Sequence, residues 1–267
     1  MKLSIYDAQN NKTGEIELPK LFDEPVNDDL IKTAVEVANL SRKHPYGSDP
    51  RAGKKSAAKL SRRRRKYKTS YGFGISRVPR KVLSKSGTRF NWVGAFAPGT
   101  VGGRRAHPPK SFKIITKKLN DKEKRKALLS ALAATMNKES VKRNGYVVPE
   151  SYPFALDQSV ESINKTKDAI KALSMLGFSG ELKRASIKKI RAGKGKSRGR
   201  KYRKKRSLLV VVSEGVAINR AIRNIPGVEV VSAASLSISD LAPASRGGRL
   251  TLFTKPAVEI LALKVKV

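Results

Sequence analysis

Residues 207–233, SLLVVVSEGVAINRAIRNIPGVEVVSA, decide the fold, because they join a strand, a helix and a second strand in one short stretch. The unbroken apolar run Leu208–Val212 is typical of a parallel strand that is covered on both faces. Ser213 predicts the N-cap of the helix that follows, and Pro226 with Gly227 predicts its end. The apolar face of this helix consists of Ile218, Ala221, Ile222 and Ile225. VEVVSA predicts the next strand, so the stretch indicates an α/β fold with a parallel sheet.

The same alternation continues toward the end of the chain. SISDLAP at residues 237–243 predicts a short helix, and RLTLFT at residues 249–254 predicts a third strand. KPAVEILAL at residues 255–263 predicts a closing helix, with Pro256 in its first turn, where a missing backbone donor costs nothing.

The N-terminal part also predicts strands and helices. KLSIYD and GEIELP, at residues 2–7 and 14–19, predict a β-hairpin. Asn27 predicts the N-cap of a first helix, with Asp28 and Asp29 at its positive end. The apolar face of that helix is expected to contain Leu30, Ile31, Ala34, Val35 and Ala38.

Three further elements are predicted between residues 120 and 177. Asn120 and Glu123 predict a capping box that starts a second helix. Tyr146–Val148 predicts a short strand, and Ser159–Leu176 a third helix that ends at Gly177. The apolar faces of the two helices are Leu128, Leu129, Leu132, Ala133 and Met136, and Ala169, Ile170, Leu173 and Leu176.

The charge of the chain indicates a polyanionic partner. The 267 residues include 58 Lys and Arg against 21 Asp and Glu, a formal net charge of +37 that would repel itself unless a partner neutralises it. Residues 41–110, the first basic segment, carry 20 Lys and Arg and a single acid, Asp49. Residues 188–206, the second basic segment, carry 12 Lys and Arg and no acid. Nucleic acid is therefore the expected partner.

Composition also excludes several kinds of site. The chain has no cysteine, which excludes disulfides, thiolate zinc sites and cysteine nucleophiles. Its two histidines, His44 and His107, leave little for metal or acid–base chemistry. With no apolar run of about 18 residues and no signal-peptide core in MKLSIYDAQNNK, we expect a chain that neither spans a membrane nor is secreted.

Residues 193–199 match parts of two enzyme motifs, but the sequence around them lacks the structural context that each motif requires. Gly195-Lys196-Ser197 matches the end of a P-loop, but Ile190 stands where the first glycine belongs, and the strand follows the motif instead of preceding it. Gly195–Gly199 matches the hydrolase elbow, but both histidines precede Ser197, whereas that fold places its histidine later. Two dinucleotide-fingerprint fragments, at residues 72–74 and 193–195, likewise have Arg77 and Arg198 in place of the third glycine. We therefore expect no enzyme and no cofactor.

The two basic segments differ in composition. The second combines glycines with closely spaced cations, as suits phosphate contact, although a disordered basic linker would have the same charge. The first also contains many aromatic residues, whereas disordered tails have few. Aromatic side chains beside cations are typical of proteins that bind irregular or single-stranded RNA, but the same rings could instead form a small core. These aromatic residues are Tyr67, Tyr71, Phe73, Phe90, Trp92 and Phe96.

Eight segments resemble one known family, in order, over nearly the whole chain. They are RKVLSKSG, FAPGTVGGRRAHPPK, SALAAT, VVPES, KTKDAIKALSMLGF, RAGKGKSRGRKYRKKRSLLVVVSE, AIRNIPGVEVVSAASLSISDLAP and GGRLTLFTKPAVEIL. Together they resemble the uL4 (L4/L1e) family of large-subunit ribosomal proteins, and the segment at residues 191–214 is highly specific. Eukaryotic members carry a basic C-terminal extension, which this sequence lacks after its last predicted helix, so the archaeal type is expected.

The resemblance implies the organisation and role of the chain. It implies a single α/β domain over residues 1–267 with a Rossmann-like parallel sheet, a loop over residues 43–112 that enters rRNA and the polypeptide exit tunnel, and a second rRNA-binding segment at 188–206. A protein of this family is a structural constituent of the large ribosomal subunit in the cytoplasm, and we expect this chain to organise 23S rRNA early in assembly. Its other expected partners are ribosomal protein uL22 near the tunnel constriction and the nascent polypeptide, with no membrane contact.

The site residues follow from these segments. Those expected to bind rRNA are Arg51, Lys54, Lys55, Arg62, Arg63, Arg64, Arg65, Lys66, Tyr67, Arg77, Arg80, Lys81, Arg104, Arg105, His107, Arg191, Lys194, Lys196, Arg198, Arg200, Lys201, Arg203, Lys204, Lys205 and Arg206. Those expected to face the tunnel from the loop tip are Lys85, Ser86, Gly87, Thr88, Arg89, Phe90, Asn91 and Trp92. The tip departs from the family pattern, because Phe90-Asn91-Trp92 is bulkier than the glycine-rich tip of other members.

Two other classes of protein share part of this pattern. A chromatin-type nucleic-acid binder would be equally basic but would not need an aromatic-rich loop inside a sheet domain. An RNA-modifying enzyme would need an intact glycine-rich cofactor turn after a strand, which is missing here.

Overall fold

A computed structural model describes residues 2–214 and 216–264. The chain divides into two compact units. We call Met1–Arg42 together with Lys117–Val267 the body, and Lys43–Thr116 the insert.

The strands are β1 Lys2–Tyr6, β2 Lys12–Glu17, β3 Arg80–Ser86, β4 Arg89–Gly94, β5 Ala155–Leu156, β6 Lys189–Ile190, β7 Tyr202–Arg203, β8 Leu209–Val212, β9 Glu229–Ser232 and β10 Thr251–Thr254. The α-helices are α1 Asp28–Ser41, α2 Asp121–Met136, α3 Lys138–Arg143, α4 Thr166–Leu173, α5 Ser179–Ser186, α6 Val216–Ile222, α7 Ile238–Leu241 and α8 Lys255–Lys264. Short 3₁₀ turns occupy Lys20–Phe22, Gln158–Ser162 and Ala233–Ser235, and Ser174–Phe178 forms a π-helical turn.

The body contains a six-stranded sheet in the order β2-β1-β5-β10-β8-β9. All neighbouring strands are parallel except β1 and β2, which form the antiparallel N-terminal hairpin. Val210 is in register with Leu252 on one side and with Val230 on the other. The predicted α/β class is therefore confirmed, with a mixed sheet.

Apolar side chains cover both faces of this sheet, which explains the unbroken run in β8. Val210 and Val212 belong to a core cluster that includes side chains of α4 and α6. Leu209 and Val211 belong to a second cluster that includes side chains of α1, α2 and α8. Successive strand residues point to opposite faces, and both faces are covered, so all four side chains are buried. Burial of each such side chain stabilises the fold by about 1.5–3 kcal/mol.

Two of the predicted helix starts are confirmed in detail. The Asn27 side chain accepts a hydrogen bond from the Leu30 backbone nitrogen at 3.0 Å, at the start of α1. Asn120 and Glu123 form the reciprocal capping box of α2. These local bonds satisfy backbone donors that have no partner within the helix.

One predicted strand and one predicted helix cap were wrong. Tyr146–Val148 is not a strand, because the Val147 N–H donates to the buried Glu181 carboxylate at 2.9 Å instead of to a neighbouring strand. The strand between β1 and β10 is β5. Ser213 does not cap α6, since its hydroxyl donates to the Glu161 carboxylate and α6 begins three residues later.

The predicted helix at Ser159–Leu176 is interrupted. Its first residues form the 3₁₀ turn, which is held against the ends of β8 and β10 because Glu161 accepts hydrogen bonds from Ser213 and Thr254. Ile170, predicted to be in the core, is 44% exposed. Gly177 has φ of +89° and turns the chain into α5, as the glycine predicted to end this helix.

The insert is built around the antiparallel pair of β3 and β4. Gly87 and Thr88 form the turn between these strands, and the register shifts between Val82 and Ser84. Lys59 forms an isolated bridge with Arg80 at the base of β3. The rest of the insert is irregular.

Candidate nucleic-acid interface

One face of β4 carries a row of aromatic rings. Side chains alternate along a strand, so Phe90 and Trp92 share a face, while Asn91 lies on the other and is exposed. The Phe90 and Trp92 ring centroids are 5.7 Å apart. Tyr67 stacks on Phe90 at 5.9 Å, with 26° between the ring planes. Tyr67, which is distant in sequence, thus joins Phe90 and Trp92 in one aromatic row.

Cations surround this aromatic row. The Lys85 ammonium lies 5.9 Å from the centroids of Tyr67 and Phe90, and the Lys68 ammonium lies 5.5 Å from that of Phe90. The Arg80 guanidinium lies 5.8 Å from the Trp92 ring. These distances allow cation–π attraction, which holds the charges beside the rings.

The row lines an open groove of about 680 Å³ in the insert. Phe73 is 65% exposed and Tyr67 is 67% exposed, and both line the groove. Lys68 and Arg89 also line it. The groove therefore combines exposed aromatic side chains with positive charge.

Four consecutive arginines precede the groove-lining residues Tyr67 and Lys68 in the chain. Arg62, Arg63, Arg64 and Arg65 are exposed. Their segment is held from inside, because the buried Thr69 hydroxyl donates to the Arg63 carbonyl at 2.7 Å. Arg77 stacks over the Tyr71 ring with its guanidinium carbon 4.3 Å from the centroid.

Most of the sequence-predicted rRNA-binding residues have exposed side chains. The half-buried ones are Arg80, Lys81, Arg104 and Lys205. Lys55 forms an ion pair with Asp49 at 2.8 Å, and this hydrogen bond holds the pKa of the Asp49 carboxyl below its usual value. Arg206 lies 3.6 Å from Glu229. Lys55 and Arg206 are thus partly neutralised within the protein.

The second basic segment forms a small hairpin. β6 and β7 pair through Lys189 and Arg203, and the Arg191 N–H donates to the Lys201 carbonyl at 2.8 Å. Ser197 lies in the turn region between these strands, where its hydroxyl donates to the Lys194 carbonyl at 3.0 Å. The P-loop-like and elbow-like motifs therefore lie in turns between two-residue strands, with no helix immediately after Ser197 among the described residues.

The end of this hairpin is anchored in the body by a buried carboxylate. Glu181 accepts hydrogen bonds from the Ser207 hydroxyl at 2.7 Å and from Arg184 at 2.5 and 2.7 Å. Arg184 also donates to the Arg206 carbonyl at 3.1 Å. The Ser207 N–H donates to the Gly227 carbonyl at 2.8 Å. The chain thus passes from an exposed basic segment into the sheet at one fixed junction.

A basic groove of about 540 Å³ lies beside this junction. Its basic lining residues are Arg184, Lys189, Arg203, Lys204, Lys205 and Arg206. Tyr146 also lines the groove, and burial raises the pKa of its hydroxyl. The Arg184 guanidinium carbon is 5.3 Å from the Tyr146 ring centroid. Sequence reasoning missed Arg184 and Tyr146, because both lie outside the basic segments and no local pattern joins them to residues 203–206.

Two kinds of feature are absent from the part of the chain that the structure describes. None of its helices combines the length and hydrophobicity needed to cross a membrane. Within residues 2–214 and 216–264, no three His, Asp or Glu side chains are grouped so as to hold a metal ion.

Comparison with known proteins gives a consistent family. The model of the ribosomal protein L4/L1 family matches residues 16–264. The large ribosomal subunit protein uL4 of Methanocaldococcus jannaschii is 44% identical over 263 residues, which cover 98% of each chain. The protein of the same name from Thermoplasma acidophilum is 41% identical, and the alignment covers 97% of each chain. That from Nanoarchaeum equitans is 40% identical, and the alignment covers 98% of this chain and 97% of the relative.

Proposed function

We propose that this chain binds and organises 23S rRNA early in subunit assembly. The chain belongs to the ribosomal protein L4/L1 family, so it is a structural constituent of the large ribosomal subunit and not an enzyme. The observation that carries this proposal is the concentration of exposed cations in two segments, one beside the aromatic groove of the insert and one in the basic hairpin of the body.

The proposed mechanism is electrostatic and architectural. Segments of folded rRNA repel one another through their phosphates, and Arg and Lys side chains relieve this repulsion by replacing condensed counterions. Arg62–Arg65 and Lys194–Arg206 would contact phosphates and so position the protein, without reading base sequence. The Glu181 junction supports this role, because it fixes the hairpin to the rigid sheet and limits the entropy that binding must remove.

We further propose that the body is a Rossmann-like domain and that residues 43–112 act as an extended loop that lines part of the polypeptide exit tunnel. Lys85–Trp92 would then meet the nascent polypeptide, next to uL22. Support comes from the family, from the four-stranded parallel part of the sheet beyond β1, and from the exposed turn at Gly87 and Thr88.

Co-sedimentation tests the main proposal. A tagged copy, expressed in the cells that produce the protein, should migrate in sucrose gradients with large subunits in a one-to-one ratio. Lys196→Gln with Arg198→Gln should reduce incorporation when the variant competes with the unaltered protein. Lys167→Gln with Lys171→Gln, exposed charges on α4, is the matched control and should not reduce it. A free pool of the unaltered protein, poor in RNA, would contradict the proposal.

The absence of cysteine allows a separate test of the tunnel proposal. Asn91→Cys introduces a unique thiol on the exposed face of β4, and a thiol-reactive cross-linker should join it to a stalled nascent chain. Lys171→Cys provides the control and should give no such product. If Asn91→Cys does not cross-link in assembled ribosomes, the proposal that the loop tip lines the tunnel is contradicted, whereas the proposal of rRNA binding is unaffected.

A further inference from the structure

The aromatic groove of the insert has a feature that phosphate binding does not require. Phosphate contacts need cations and backbone donors, but this groove is also lined by large aromatic side chains that are open to solvent, with Tyr67 and Phe73 about two-thirds exposed. Exposed aromatic rings that line a common groove are typical of a binding site, whereas scattered ones are not. A flat, aromatic ligand would make the best use of these side chains.

The surrounding charge identifies the kind of molecule that carries this flat group. Lys68 and Arg89 line the groove, and Lys85 lies beside its rings. The only acid of the insert, Asp49, is already paired with Lys55. An apolar protein segment would gain nothing from these cations. The phosphates on either side of a nucleotide, in contrast, would be neutralised by them.

The row of rings also has a suitable arrangement. Tyr67, Phe90 and Trp92 succeed one another at 5.9 and 5.7 Å, so together they form a continuous apolar wall. Every base has a π-face, so stacking on such a wall tolerates any base sequence. Bases inside a regular duplex are already stacked on each other, so only an unpaired base can enter.

We propose that this groove binds one unpaired nucleobase of RNA, stacked on the aromatic side chains Tyr67, Phe73, Phe90 and Trp92, with its flanking phosphates on Lys68 and Arg89. The inference rests on the proposed rRNA binding and adds the structural class of the RNA element, a bulged or flipped-out nucleotide. It also divides the predicted loop tip, because Phe90 and Trp92 would face RNA, which leaves Ser86, Gly87 and Asn91 to meet the nascent chain.

The single tryptophan makes the proposal testable on the full chain, since Trp92 emission reports on the groove alone. The probes are a fully paired RNA duplex and the same duplex with one bulged adenosine, at one salt concentration. The bulged duplex should bind about tenfold more tightly and should quench Trp92, because stacking on aromatic side chains adds to the phosphate contacts.

Variants separate stacking from charge. Tyr67→Ala with Phe73→Ala should abolish the preference for the bulged duplex over the paired duplex, and Tyr67→Phe should retain this preference. Because Tyr67 and Phe73 are mostly exposed, the double variant is expected to fold, and an unchanged circular dichroism spectrum and melting temperature would verify this. Arg62→Gln is the charge control and should weaken the binding of both duplexes equally.

Three outcomes would overturn the inference. Equal affinity for the two duplexes, or bulge binding without a change in Trp92 emission, would show that no base enters the groove. Quenching of Trp92 by an uncharged apolar peptide, without quenching by the bulged duplex, would make it a protein-binding site. In each case salt-dependent binding of the paired duplex would leave the proposed rRNA binding intact, whereas no binding of either RNA would contradict both.

Discussion

Replacing Glu181 by alanine should cost the body a large part of its stability. The carboxylate is fully buried and accepts hydrogen bonds from the Val147 N–H, the Ser207 hydroxyl and the Arg184 guanidinium. Removal of one partner from a buried ion pair costs about 3–5 kcal/mol, because the remaining groups lose their acceptor. We expect a loss of roughly 3–4 kcal/mol, near the lower end, because the Arg184 side chain is 21% exposed and water can solvate part of its charge.

Urea denaturation followed by far-UV circular dichroism measures this loss. Ser207→Ala is the matched control, because it removes a single donor to the same carboxylate and should cost only about 1 kcal/mol. Glu181→Gln keeps the size of the side chain and should fall between the two. If Glu181→Ala were no more destabilising than Ser207→Ala, the carboxylate would not hold this junction together.

The same substitution should also loosen the basic hairpin. Glu181 holds Ser207 directly and orients Arg184, which contacts the Arg206 carbonyl. Amide hydrogen exchange at residues 188–206 should therefore accelerate in Glu181→Ala at urea concentrations where the body is still folded. Unchanged exchange at residues 188–206 would show that Glu181 does not stabilise the hairpin.

Three further predictions concern the backbone, the charge and the insert. Gly227→Ala should destabilise the protein by about 2–4 kcal/mol, because Gly227 has φ of +79° and an added Cβ would lie 2.7 Å from the Lys205 carbonyl oxygen. Gly145 has a similar φ of +80° but no atom within 4 Å of an added Cβ. Gly145→Ala should therefore cost only about 1–2 kcal/mol in the same urea assay. Neutralising Arg62–Arg65 to Gln should reduce the log–log salt slope of rRNA-fragment binding by about 3, and an unchanged slope would show that these side chains do not contact phosphates. Replacing Ser48–Lys110 by a short Gly/Ser linker should leave a protein that unfolds cooperatively in calorimetry, because the residues of both core clusters lie outside it, and a broad transition would contradict this.

The candidate site was only partly predictable from sequence. Charge is a property of single residues, so the two basic segments are evident from the sequence alone. The joining of Tyr67 with Phe90 and Trp92 depends on the pairing of β3 with β4 and on the path of the preceding loop, and no local pattern encodes it. Arg184 was missed for the same reason, because only the tertiary fold brings it to the basic groove.

By itself, the sequence determined the α/β class, the order of most elements and the two best-defined helix starts. These features depend on interactions between near neighbours, since apolar periodicity and capping bonds span only a few residues. The buried run of β8 was recognisable because a strand covered on both faces leaves no polar position.

The tertiary structure decided the features that depend on distant partners. Residues 146–148 do not form a strand, because the buried Glu181 carboxylate accepts the hydrogen bond of the Val147 N–H. The turn at Gln158–Ser162 stays separate from α4, because Glu161 is bound to Ser213 and Thr254 at the ends of two strands. In both places one carboxylate satisfies several donors far away in sequence, and this requirement outweighs the local preference for a strand or a longer helix.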